Sequence, residues 1–278
     1  MAQETQTAGT PGMRLIRALA GGGDRVFTND RARQIAPSVG LSEGYLRQAL
    51  HHLTKSGWLV RLRKGLYALS AAVPGVTGAH EYEVAMALVD PAAISHWSAM
   101  HYHGLTDQVP RKVFVLTTMS ASVPRVRAAK AKQRPEGYLV GDTVYQFVQV
   151  KPERFFGMEK VWVGEARVTI TDPERTLLDG LSKPQYCGDF AEVLHAFEAR
   201  ADRLDLERII DYALKLDAAT AKRLGWVLEH QGIKPARLDP LLRVPIKGYC
   251  PLDPTGPRRG PCHRRWMVQE NLPGRVSR

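Results

Sequence analysis

The stretch from Arg25 to Leu69 constrains this chain most, because helical periodicity gives way there to a short basic hairpin. After Ser42, apolar residues fall at Leu46, Ala49, Leu50 and Leu53, a spacing that gathers them on one helix face. The remaining face carries Gly44, Tyr45, Arg47, Gln48, His51, His52 and Lys55. Gly57 suits the position just past the helix end, where the backbone turns left-handed and glycine adopts that turn without steric cost. Trp58–Arg63 then reads as a strand, Lys64-Gly65 as a turn and Leu66–Leu69 as the returning strand. A helix with a basic, polar and aromatic free face fits a DNA major groove, and a cationic hairpin beside it fits the phosphates. The pattern predicts a winged helix-turn-helix.

The start of the module is legible as well. Met13–Leu19 has helical apolar spacing and stops at Gly21-Gly22-Gly23. Val26–Thr28 is a candidate strand to pair with the wing. Thr28 or Asn29 can cap a brief helix through Ala32, Ile35 and Ala36, with Pro37–Leu41 as the turn and Ser42 as the next cap. Two blander readings stand beside this one. A small helical bundle could leave its basic face merely solvated, and a winged fold could serve protein contact alone.

Charge is concentrated at the two ends. Residues 1–70 hold 10 Lys/Arg against 4 Asp/Glu, residues 71–233 hold 19 against 21, and residues 234–278 hold 10 against 3, within a net charge of +11. Concentrated ends suggest separate contact surfaces rather than a uniform polyanion binder; the plainer view is that the basic tail aids solubility. No apolar run approaches the roughly 20 residues that cross a bilayer, and the first residues lack the apolar core of a signal peptide. Cys187, Cys250 and Cys262 are too few and scattered for a disulfide framework. A cytoplasmic protein is expected.

The chain reads as α+β. Residues 1–12 are expected to be disordered, 13–70 to form the winged domain, and 71–78 a linker; 79–232 would be a second, mixed domain, and 233–278 a basic Pro/Gly-rich extension lying over the surface. In the second domain, His80–Val89 and Ser95–His103 read as helices, and strands are expected at Lys112–Thr118, Tyr138–Val140, Thr143–Val150 and Lys160–Ile170. Helices follow at Glu174–Leu181, Asp189–Ala199, Leu206–Leu216 and Ala218–Gln231, with Asp172 capping and Pro173 in the first turn. Trp58, Tyr67, Trp97 and Leu105 are expected in cores, and Arg175 with Asp179 as a surface ion pair. His96, His101 and His103 lack the spacing that puts metal ligands on one helix face, and the tail cysteines lack a second ligand pair, so no metal and no cofactor is implied. Asp172 and Glu174 are explained by helix capping and the helix dipole. Neither a phosphate-binding glycine loop nor a nucleophile elbow occurs, and an enzyme is not expected.

Further residues carry a family resemblance. Gly65–Leu69 closes the wing; Ala93–Thr106 (AISHWSAMHYHGLT), Val113–Thr118 and Ile170–Asp179 (ITDPERTLLD) follow. Together these resemble the AbiEi family, the antitoxin and repressor half of type IV toxin–antitoxin systems, over about Arg14 to Gln231. The resemblance implies an N-terminal winged domain that binds inverted repeats in its own promoter. It also implies a C-terminal antitoxin domain without chemistry of its own, and a nucleotidyltransferase-like toxin as functional partner. Two other classes remain open: a ligand-responsive regulator unrelated to a toxin, and a DNA-binding nuclease, which the lack of an Asp…Glu-x-Lys arrangement after Lys112 disfavours.

The charged face gives the expected DNA-binding set. Ser42 and the amides after it would hold a phosphate at the helix start. Tyr45, Arg47 and Gln48 would enter the major groove, and Lys55, Arg61, Arg63 and Lys64 would contact the backbone.

Overall fold

A computed structural model describes residues 9–119 and 137–272. The chain divides into two compact units; the first holds residues up to Asp90 together with 137–144 and 162–167, and the second the rest.

In the first unit, α1 (Pro11–Gly21) starts on Thr10, whose hydroxyl accepts from the Met13 amide at 3.4 Å, with Pro11 in the first turn. Residues 9–12 are thus ordered, contrary to expectation, while 1–8 lie outside the described residues. The short strand β1 (Val26–Thr28) precedes α2 (Asn29–Ile35), which Thr28 caps by accepting from the Arg31 amide. A 3₁₀ turn at Ala36–Val39 leads to α3 (Glu43–Lys55). Then come β2 (Leu59–Arg63) and β3 (Leu66–Leu69), joined by a turn in which Gly65 has a φ of 75°. The sheet order is β1-β3-β2, all antiparallel. Leu15, Ile16, Leu19, Leu46, Leu50, Leu53 and Leu59 form the core, with Trp58 and Tyr67 half-buried against it. This is a winged helix-turn-helix.

The expected linker is part of that unit. Val73 is buried in the same core, Val76 packs on it, and the Ala79 amide donates to Leu69 O at 2.9 Å. The unit continues through α4 (Glu81–Leu88), capped by His80. A boundary at 71–78 is therefore replaced by one near Asp90. Small apolar residues in the Ala/Gly stretch can pack where composition alone reads only flexibility.

The rest of the chain introduces β4 (Ala92–Ile94), α5 (His96–Tyr102), β5 (Lys112–Thr117), β6 (Tyr138–Val140), β7 (Thr143–Gln149), β8 (Met158–Val163) and β9 (Ala166–Thr171). These strands form one sheet of order β6-β7-β5-β4-β9-β8. β4, absent from the sequence reading, lies at its centre, antiparallel to β5 and parallel to β9. Its three residues are all buried and too few to show a period. The single strand expected at Lys160–Ile170 is two, β8 and β9, with Gly164 between them.

Helices α6 (Pro173–Ser182), α7 (Phe190–Arg200), α8 (Leu206–Leu216) and α9 (Ala218–His230) follow close to their expected bounds. Asp172 caps α6, its Oδ1 accepting from the Arg175 amide at 2.8 Å. Every residue from Glu174 to Leu181 is buried, so α6 is the axis around which the others pack. Arg175 and Asp179 are consequently an interior pair, 2.9 Å apart with Arg175 only 1% exposed, where a surface pair was expected. Glu174 is likewise interior. It accepts from the Asp205 amide, and Arg200 and Arg208 lie within 4 Å. Leu105 is in this core and Trp97 is half-buried beside it.

The tail is folded rather than extended. After α10 (Asp239–Leu242), the two-residue strands β10 (Cys250–Pro251), β11 (Cys262–His263) and β12 (Val268–Gln269) make a small sheet of order β10-β12-β11. Leu252, Trp266 and Val268 are fully buried in the helical core. Trp266 lies across Gly225 of α9 and donates its indole N–H to Glu229 at 2.7 Å, while Trp226 donates to Glu270 at 2.7 Å.

Candidate nucleic-acid interface

The winged unit places its cations around a concavity between α3 and the wing. The core stripe of α3 faces inward, so its polar residues are exposed. Arg47, His51 and Thr54 recur at intervals of four and three residues, hence on one shoulder of the helix. They line a cavity of about 630 Å³ together with Arg61, Lys64 and Gly65 of the wing and Asn29 and Arg33 of α2. The wing tip is tied down: the Asn29 amide donates to Gly65 O at 2.9 Å. A bulge in β2 between Arg61 and Arg63 sharpens the strand's twist, and the Leu62 carbonyl there accepts from the Tyr138 hydroxyl.

Charge in this concavity is strongly positive. Glu43 is the one acid among the lining residues, and it is shared with Arg33 at 3.6 Å, which also pairs with Asp30 at 2.7 Å. Arg47, Lys55, Arg61, Arg63 and Lys64 have no acidic partner within 4 Å among the described residues. Unpaired, solvated cations held on a rigid helix and hairpin are what a polyanion requires, because each can exchange a counterion for a phosphate.

The expected residues divide by position. Arg47, Arg61 and Lys64 line the concavity. Gln48, Lys55 and Arg63 are exposed but do not line it, and Tyr45, 46% exposed, stands on the opposite shoulder of α3. Ser42 occupies the cap position with extended backbone, but its side chain makes no capping bond, so the expectation that it caps α3 holds for position only. Asn29, Arg33, His51 and Thr54 were not anticipated. His51 and Thr54 could have been found from their spacing to Arg47. Asn29 and Arg33 come from another helix and carry no local signal.

Two of the clustered histidines, His96 and His103, are tied into the fold. His96 is buried and shares a 2.8 Å hydrogen bond with Ser95, and burial pushes its pKa down to about 4. His103 donates to Thr171 O at 2.8 Å. Among the described residues, no three His, Cys, Asp or Glu side chains gather as a metal site would need. No helix among the described residues is long and apolar enough to cross a membrane.

Comparison with known proteins bears on the same module. Residues 14–70 match the family model described as transcriptional regulator, AbiEi antitoxin. The resemblance read further along the chain, through Ala93–Thr106 and Ile170–Asp179, lies outside that match. No curated protein matches the chain. Among solved structures, the RV2827C protein from Mycobacterium tuberculosis has a similar fold. Its TM-score is 0.66 at 16% identity, covering 94% of this chain and 91% of that one. At that identity the likeness concerns the fold.

Proposed function

We propose that the chain is a DNA-binding antitoxin that represses its own operon, with a nucleotidyltransferase-like toxin as its functional partner. The observation that carries this reading is the unpaired cationic concavity between α3 and the wing, within the segment that matches an AbiEi regulator. α3 enters the major groove. Arg47 and Gln48 read base edges, with guanine and adenine as their natural bidentate partners, and Tyr45 contacts the groove wall. The amides following Ser42 hold a phosphate at the start of α3. Lys55, Arg61, Arg63 and Lys64 bind the backbone and fix the register. The second unit supplies the antitoxin function without catalysis.

The test is fluorescence anisotropy on the DNA upstream of the chain's own gene, against a scrambled duplex, at two salt concentrations. Tight binding to the upstream site alone supports an autorepressor and motivates co-expression with the adjacent toxin gene. Equal, strongly salt-weakened binding to both duplexes overturns the specific assignment.

A further inference from the structure

The second unit contains a cavity of about 240 Å³ that the DNA-binding reading does not use. α6 lends it Asp179 and, at its end, Lys183; α5 lends it His96. Leu116 and Val148 supply apolar wall. The volume is below the roughly 300–1,000 Å³ of drug-sized sites, so it has room only for a small molecule.

Two polar groups of this wall are incompletely matched. Asp179 is 5% exposed, and its Oδ1 accepts from Arg175 Nε at 2.9 Å, while Oδ2 has no hydrogen-bond partner. Arg175 is engaged elsewhere as well. Its guanidinium also donates to the carbonyls of Arg154 and Phe156 at 2.8 and 3.0 Å and lies over the Phe156 ring. Lys183 is half-buried, and no carboxylate lies within 4 Å of its ammonium among the described residues. Burial lowers its pKa, the nearby Asp179 charge acting in the opposite direction. A buried carboxylate oxygen without a donor is costly, as is a desolvated ammonium without an acceptor. Backbone strain adds a third sign: His96 has a φ of 50°, a conformation non-glycine residues adopt mostly where something holds them.

We infer that this cavity binds a small zwitterion of the free α-amino-acid class, its ammonium on Asp179 Oδ2 and its carboxylate on Lys183 Nζ. One ligand then meets both the Asp179 oxygen that Arg175 leaves open and the Lys183 ammonium, which otherwise lies over the Tyr186 ring at 5.8 Å, and the apolar wall accepts a side chain. The site lies within the second unit, so the inference stands independently of the reading of the winged module.

The experiment titrates individual proteinogenic L-amino acids into the 278-residue chain, by thermal shift and then calorimetry. Acetate and methylammonium serve as half-ligand controls. At least one amino acid is expected to raise Tm and to bind, with neither control doing so. D179N and K183A should each weaken that binding about tenfold or more. K183A changes a half-exposed side chain, and its unliganded Tm and circular dichroism verify the fold, so it keeps the test decisive if D179N unfolds. The inference fails if no amino acid binds the wild type more tightly than about 10 mM. It fails equally if acetate binds as well as the amino acid, or if K183A binds like the wild type.

Discussion

At the scale of single residues, the winged unit separates side chains that choose a sequence from those that attract any duplex. Gln48 is exposed on the free face of α3, whereas Arg63 stands on the wing, where only backbone is in reach under the proposed docking. Gln48→Ala is expected to relax base preference at one position, at a cost of about 1–3 kcal/mol on the matched site alone. Arg63→Ala should weaken matched and scrambled duplexes alike and reduce the salt slope by about one. Anisotropy on both duplexes checks this, and identical behaviour of the two variants would sink the division of roles. A second residue-scale prediction concerns acid stability. His96 is fully buried, and desolvation, partly countered by Asp179, takes its pKa from 6.5 to about 4. Between those values the unfolded chain binds a proton that the native chain does not. Native stability therefore falls as pH drops from 6.5 toward 4, by up to about 3 kcal/mol from this one group. His96→Asn retains a side chain that tolerates left-handed backbone but does not titrate. Urea midpoints at pH 4.5 and 7 should differ less in that variant than in the wild type, and an equal difference would exonerate His96.

At the scale of elements, close packing can reverse what local propensity favours. Gly225 lies inside α9, where replacement by alanine in an open helix would add about 0.5–1 kcal/mol of stability. Here an added Cβ would stand 2.1 Å from the Trp266 ring. Gly225→Ala is therefore expected to destabilise the chain by about 1–3 kcal/mol as the indole is driven out of place. Urea denaturation gives the sign, and a stabilised variant would show that the tail is not seated on α9. In the double variant with Trp266→Ala the effect of Gly225→Ala should shrink, because the clash is gone. The same contact explains what could be read from the residues and what could not. α8 and α9 repeat an apolar stripe over three turns, and the wing announces itself by Gly57, Lys64 and Gly65, so local pattern suffices for them. β4 and the tail strands are two or three residues long, and long-range partners define their surroundings: β5 and β9 for β4, and Gly225 against Trp266 for the tail. Half of the candidate interface was legible for the same reason. Arg47 follows from the period of α3 and Arg61 and Lys64 from the local hairpin pattern, while Asn29 and Arg33 enter only once α2 is folded against the wing.

At the scale of the whole molecule, the question is how much of the net charge of +11 acts on DNA. The proposed cationic phosphate contacts per copy, the ones that release counterions, are Lys55, Arg61, Arg63 and Lys64. Counterion release then gives a slope of log K against log salt of about −3.6 for one copy, and about −7 for two copies on an inverted repeat. The basic C-terminal segment, with 10 Lys/Arg against 3 Asp/Glu over residues 234–278, is the obvious source of a steeper slope. Its fold argues for a separate role: Trp266 and Val268 anchor it in the helical core, and Arg265 is held by Glu229 at 2.9 Å. Arg258, Arg259 and Arg264 remain exposed. Replacing these three by alanine leaves the buried anchors untouched and removes three charges, so it tests long-range attraction without unfolding the segment. The expected result is a salt slope unchanged from the wild type on the upstream duplex, with the winged unit alone setting it. A slope shallower by two to three per copy would instead assign the tail to the phosphates. The basic charge at both ends of the chain would then contribute to DNA binding.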